Sequence, residues 1–186
     1  MYGMINKAVR GLVLDVAGEE AWTRIRASAG VPDDDFISME GYDDCVTYRL
    51  VAAVSEELSM PPEEVLEAFG KYWLQYTGDE GYGALMESAG STLPEFLSNL
   101  DLLHSRVKLT FSNLVPPRFS VDEQGEGHLI LHYYSEREGL EPLVVGLLKG
   151  LGERFGQSIE IEGFKESDHA AFHVRYQPLA EGSTTT

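Results

Sequence analysis

The sequence predicts an α+β domain, with a helical N-terminal lobe and a mixed C-terminal lobe that holds a small antiparallel sheet. Two observations carry this. Apolar residues recur every three or four positions from Ile5 to about Val107, the repeat of helices that each bury one face. Beyond that point the period falls to two, in segments punctuated by glycine, with one further helical stretch between them. The 186 residues suit one domain over about residues 1–180, with the helical lobe at about 1–60, the second lobe at about 61–180 and a flexible tail at 181–186.

Each element has its own signal. Ile5, Val9, Leu12 and Val16 share one helical face, and Trp22, Ile25 and Ala29 do the same before Gly30, which predicts two helices. The acidic turn VPDDDF and a short strand or loop at 36–39 precede a third helix, striped by Val46, Leu50, Val54 and Leu58. Ser59 followed by MPPEE reads as a helix start, with prolines in the first turn and Glu63 and Glu64 at the positive end of the dipole. That helix is expected over about 61–76, with Val65, Phe69 and Trp73 on one face and TGDEGYG closing it. Tyr82, Leu85, Met86 and Ala89 predict a short helix. Thr92-Leu-Pro-Glu95 fits a capping box and starts the helix that contains DLLHSRV. After Val107, Leu109, Phe111 and LVPPRFSV read as extended chain, which QGEG joins to HLILHYYSER as an antiparallel pair. Residues 142–155 return to helix, and SIEIEGF with HAAFHVRY forms a last hairpin.

Composition removes several function classes. Thirty-one acidic against fourteen basic residues give a formal charge of −17, which repels phosphate backbones and anionic lipid surfaces, so neither nucleic acid nor membrane is expected as a partner. No apolar run approaches the length that spans a bilayer, and Asp15 interrupts GLVLDVAG, which argues against a secretory signal. The single Cys45 allows no internal disulfide and no thiolate metal cage, and a cytoplasmic location is expected.

Two features ask for chemistry. In DLLHSRV, His104 continues the stripe Phe96, Leu100 and Val107, so its imidazole points with the apolar side chains. On burial alone the packing role is the default, because a backbone carbonyl satisfies a neutral imidazole as well as a ligand does. The second feature is the strand end Tyr133-Tyr-Ser-Glu-Arg137. Residues at i, i+2 and i+4 of a strand share a face at about 6.6 Å per step, so Tyr133, Ser135 and Arg137 present two hydroxyls and a guanidinium together. Such a set suits a pair of carboxylates, with Arg137 supplying charge-assisted bonds, although a solvated arginine on an ordinary strand fits the pattern equally well.

A buried helical histidine some thirty residues before a Y-x-S-x-R strand end resembles the H-NOX family, the haem domains that bind nitric oxide or oxygen and are related to the sensor of soluble guanylate cyclase. MYGMINKAV, FGKYW, EGYG, LPEFLSNLDLLHSRV, LVPPRF and EGLEPLVVGLLKGLGERF follow the family in the same order, up to about Tyr176. The resemblance implies haem b (Fe-protoporphyrin IX) between the two lobes. It implies His104 as the proximal iron ligand, Tyr133, Ser135 and Arg137 on the propionates, and Pro116 with Ile5 against the porphyrin, Pro117 being the alternative proline. Cysteine zinc sites known in some members have no counterpart here.

The distal side sets gas selectivity, because a donor above the iron stabilises bound oxygen far more than bound nitric oxide or CO. Oxygen-binding members resemble one another in a tyrosine five residues after the motif arginine, where this chain has Pro142. The other expected distal residues are Ile5, Val9, Trp73 and Val144, with Trp73, Tyr82 or Tyr2 as candidate donors. The resemblance therefore implies a non-catalytic sensor that takes nitric oxide and CO, excludes oxygen, and signals through weakening of the Fe–His bond to a separate protein, a histidine kinase or diguanylate cyclase. Rival readings are an oxygen-binding or nitric oxide storage protein, a haem enzyme acting on peroxide, and a cofactor-free interaction domain. His128 with His132, and His169 with His173, share strand faces without a visible carboxylate partner and read as surface residues, while Asp43 and Asp44 are candidate ion-pair partners for Arg137.

Overall fold

The computed structural model describes residues 1–32 and 36–179; the predicted tail and most of the acidic stretch of VPDDDF lie outside the described residues. The two predicted opening helices are the halves of one kinked element, α1 (Gly3–Ser28), broken at Gly18, whose φ of 80° favours glycine. Residues 36–39 form a loop rather than a strand. Asp43 caps α2 (Asp44–Leu58) by accepting from the Cys45 N–H at 2.9 Å.

Ser59 departs from expectation. It closes α2 in the left-handed conformation, φ 50° and ψ 43°, and α3 (Pro62–Thr77) begins at Pro61 with no side-chain cap. Proline at the first turn presets the helical φ, and its missing N–H lies among the donors that have no intrahelical partner in any helix. A π-turn at Gly78–Tyr82 leads into α4 (Gly83–Glu87).

The helix predicted to run unbroken into DLLHSRV is two helices, α5 (Leu93–Ser98) and α6 (Leu100–Thr110). Asn99 separates them, and its side-chain amide donates to the Ala89 carbonyl at 2.8 Å. Thr92 accepts from the Glu95 N–H at 3.4 Å, but Glu95 reaches back to Ser91, accepting from its N–H at 2.8 Å and its hydroxyl at 3.0 Å. Leu109 is not extended chain, because α6 continues to Thr110.

Strands β1 (Arg118–Gly125) and β2 (His128–Tyr134), helix α7 (Glu141–Arg154), and strands β3 (Gln157–Lys165) and β4 (Ala170–Pro178) complete the chain. The sheet is antiparallel with order β1-β2-β4-β3. Two apolar cores result. One joins α1, α2 and the inner face of α3 around Val13, Ile25, Leu50, Val54 and Phe69. The other lays Leu129, Leu131, Phe172 and Val174 against Leu93, Leu97, Leu148 and Leu151 of α5 and α7.

Helices α3 and α7 tie the two together at backbone contact. A Cβ on Gly146 would strike the Glu67 carbonyl, and one on Gly70 the Leu143 carbonyl, so both positions admit only glycine without displacement. No helix among the described residues is long and apolar enough to cross a membrane.

Candidate functional site

A cavity of about 560 Å³ is lined by residues from both cores. Its wall is almost entirely apolar, and His104 on α6 is part of it. The imidazole packs on Phe119 with ring centroids 5.9 Å apart. Its Nδ1 is sealed from solvent and has no hydrogen-bond partner of normal geometry. Burial pushes the imidazole below the ordinary histidine range, against the Asp101 carboxylate and the Pro117 backbone, so the ring is neutral near pH 7. The backbone carbonyl that would make His104 a satisfied packing residue is therefore not in place on Nδ1.

Tyr133, Ser135 and Arg137 line the same cavity. Tyr133 sits opposite Phe119 in the β1–β2 pairing, with ring centroids 5.4 Å apart. Burial raises its hydroxyl above the usual tyrosine range, against a contact with Ser135 that works the other way. The Ser135 hydroxyl accepts from the Arg137 N–H at 2.9 Å, which closes the strand end into a turn. Arg137 reaches across the lobes: Nε donates to Asp44 at 2.7 Å and Nη1 to the Val115 carbonyl at 2.8 Å. A guanidinium has five N–H donors, so three remain for a ligand. Burial would raise the Asp44 carboxyl, but the Met1 amino group and Arg137 outweigh it and hold it below the usual carboxylate range. Of the two candidate partners for Arg137, Asp44 takes the role and Asp43 is the helix cap.

Ile5, Trp73, Val144, Pro116 and Pro117 also line the cavity. Val9 and Pro142, also expected on the distal side, are not among its lining residues. Val9 lies one turn beyond Ile5 and is buried in the helical core. Pro142 is in the first turn of α7, and the helix turns Leu143, Val144, Leu147, Leu148 and Leu151 to the cavity instead. Sequence reasoning missed Thr77, Tyr48 and Phe111, which also line it. Thr77 donates to the Trp73 carbonyl at 2.8 Å and Tyr48 to the Glu138 carbonyl at 3.1 Å, so both hydroxyls are occupied. Thr77 opens the TGDEGYG segment one turn after Trp73, and nothing in the sequence pattern marks its side as the cavity side.

The family profile described as Haem-NO-binding matches residues 2–163. The chain belongs to this family. Among curated relatives, it is 34% identical over 157 residues to the soluble guanylate cyclase gcy-32 of Caenorhabditis elegans, which covers 83% of this chain and 23% of that one. It is 34% identical over 122 residues to the guanylate cyclase soluble subunit beta-2 of Rattus norvegicus, covering 60% of this chain and 18% of that one. The chain thus spans about a quarter or less of those cyclases. The fold matches an H-NOX protein from S. oneidensis in the Fe(II)NO ligation state with a TM-score of 0.86 at 21% identity, covering 95% of this chain and 99% of that one. The Fe(II) form of a triple mutant of an H-NOX protein from S. oneidensis gives 0.88 at 20% identity, covering 97% and 98%.

Haem-NO-binding domains are haem-binding sensor domains rather than catalytic ones. The residues present fit such a group on two observations of this structure. A neutral imidazole with an orphaned nitrogen stands in an apolar wall, and an arginine with spare donors stands beside two hydroxyls on the same cavity. An iron needs the first, and two propionates need the second.

Proposed function

We propose that this H-NOX domain is a nitric oxide sensor that holds haem b through His104 and does not retain oxygen. The observation that carries the reading is the neutral His104 imidazole, its Nδ1 without a hydrogen-bond partner, in the wall of an apolar cavity that also holds the Tyr133, Ser135 and Arg137 donors. In this reading His104 ligates the iron, Tyr133, Ser135 and Arg137 bind the propionates, and Pro116 and Ile5 press on the porphyrin. When bound, the haem would supply reversible ligation of nitric oxide or CO, with His104 as the protein ligand whose bond nitric oxide would weaken.

The protein's part follows from how α6 is held. None of its residues is fully buried, and Leu102 and Leu109 are 52% and 86% exposed. It is held by Leu100 and Leu103, which pack partly buried against the second core, by the Asp101 carboxylate, which accepts from the Phe119 N–H at 2.8 Å, by the Arg106 guanidinium, which donates to Ser88 at 2.8 Å, and by the His104 ring. Releasing the His104 fastening of a helix with no fully buried residue favours movement of that helix, which gives a two-state element that a ligand can bias. The receiver of that movement in this reading is a histidine kinase or diguanylate cyclase.

Oxygen exclusion in this reading requires that no uncommitted donor reach the bound gas. Thr77 and Tyr48 are committed, and Trp73 and Tyr82 make no hydrogen bond among the described residues. The test is the visible spectrum of the reduced protein under argon, then air, then nitric oxide. The expected result is a haem band unchanged by air and shifted by nitric oxide, with His104→Ala abolishing haem uptake while the far-ultraviolet circular dichroism persists. A stable oxygen complex would refute the selectivity, and its loss in Trp73→Phe or Tyr82→Phe would identify the donor responsible.

A further inference from the structure

Four of the five histidines lie away from the cavity, and they meet on the outer face of the sheet. His128 and His132 extend from β2, His173 from β4, and His169 from the residue before β4. They form two close pairs. His132 Nδ1 is 2.9 Å from His169 Nε2, and His128 Nε2 is 3.2 Å from His173 Nδ1.

The first pair is built further. His132 Nε2 is 3.3 Å from the Asp122 carboxylate, and His169 Nδ1 is 2.8 Å from the Asp168 carboxylate. The expectation that these histidines lack a carboxylate partner is therefore corrected. An ionised carboxylate only accepts, so each neutral imidazole directs its one N–H outward to its aspartate. In that tautomer neither nitrogen at the 2.9 Å contact carries a hydrogen, and the two lone pairs repel unless they share a proton or turn together onto a metal ion beside the contact. A carboxylate behind each ring is also how metal-ligating histidines are held in tautomer and made more basic. Two nitrogens bound to one metal at about 2.0–2.1 Å stand roughly 2.9 Å apart at a right angle and roughly 3.3 Å at a tetrahedral angle. Both observed separations fall in that interval.

The rings are already ordered. The side chains of His132 and His169 are only 15% and 10% exposed, and Tyr134 stacks on His169 with centroids 4.1 Å apart. We propose that His132 and His169 form a clip for a divalent transition-metal ion that accepts imidazole, such as Zn²⁺, Cu²⁺ or Ni²⁺, with Asp122 and Asp168 as positioning residues. Among the described residues no three His, Cys, Asp or Glu side chains converge to hold a metal, so water completes the coordination. Ions that demand oxygen ligands, such as Mg²⁺ and Ca²⁺, are poorly served by it. A bound ion would join β2 to the start of β4 on the face opposite Tyr133, which alternates with His132 along the same strand.

The test is titration of chelator-stripped, haem-loaded protein with Zn²⁺ against a chromophoric chelator, and with Cu²⁺ by electron paramagnetic resonance. Expected are one tight equivalent, copper hyperfine structure from two nitrogens, at least a hundredfold loss of affinity in His132→Gln or His169→Gln, and a loss of about 10- to 100-fold in Asp122→Asn or Asp168→Asn. The haem band and circular dichroism of these variants should match those of the parent, which separates loss of the clip from loss of the fold. Uptake that persists in the His132→Gln/His169→Gln double variant, or that disappears instead in His128→Gln/His173→Gln, overturns the assignment. So does no zinc uptake combined with nitrogen NMR shifts that show the 2.9 Å contact sharing a proton.

Discussion

At the scale of single residues, the decisive one is a histidine whose environment leaves it neutral and incompletely bonded. Burial lowers its folded-state pKa, so on acidification the unfolded chain, with an ordinary value near 6.5, takes up the proton first. Stability is thus unaffected by this group well above pH 6.5 and falls as the pH drops through it. Chemical denaturation of haem-free protein at pH 7.5 and 5.5 should show lower stability at 5.5, with a smaller difference in His104→Leu; an equal difference would mean that the ring is not desolvated as described. His104, Tyr133, Ser135 and Arg137 were legible one by one, because helix and strand periods tell which residues share a side. Pro142 and Val9 do not line the cavity for a related reason. A period gives the face of an element but not the direction in which that face is turned, and the cavity side of α7 begins one residue later, at Leu143.

At the scale of elements, α3 against α7 and the looseness of α6 matter most. Gly70 and Gly146 let two helix backbones touch, and the sequence showed only glycines at helical spacing. Gly146→Ala should push α7 off α3 at a cost of about 1–3 kcal/mol, the usual range for overpacking, with a Tm several degrees lower. Because α7 lines the cavity, weaker haem retention should accompany it, and unchanged Tm with unchanged retention would count against the close contact. The break at Asn99 was invisible to periodicity, since Phe96, Leu100 and His104 keep their spacing across it. What separates the helices is a tertiary hydrogen bond from Asn99 to Ala89, and beyond that turn Leu100 and Leu103 of α6 only pack partly buried against the core that buries Phe96 and Leu97.

At the scale of the whole molecule, the cavity draws its walls from both cores, and the Asp44–Arg137 pair joins α2 to the strand end that lines it. A ligand that bridges both lobes stabilises the native state by mass action, about 2.7 kcal/mol at a hundred times its dissociation constant. Haem titration should therefore raise the Tm of the parent, and Arg137→Ala should need more haem for the same rise; a Tm indifferent to haem would remove the cavity as its site. The sequence by itself determined the α+β order of elements, the alternation that separates Tyr133 from His132, and the motif set by which the family is recognised, because these depend on local periods and turn chemistry. Only the tertiary structure decided which helix faces line the cavity, that α5 and α6 are separate, and that four histidines pair two by two on one sheet face, one pair meeting two aspartates. Those facts depend on contacts between residues as far apart as His128 and His173, which no local pattern encodes.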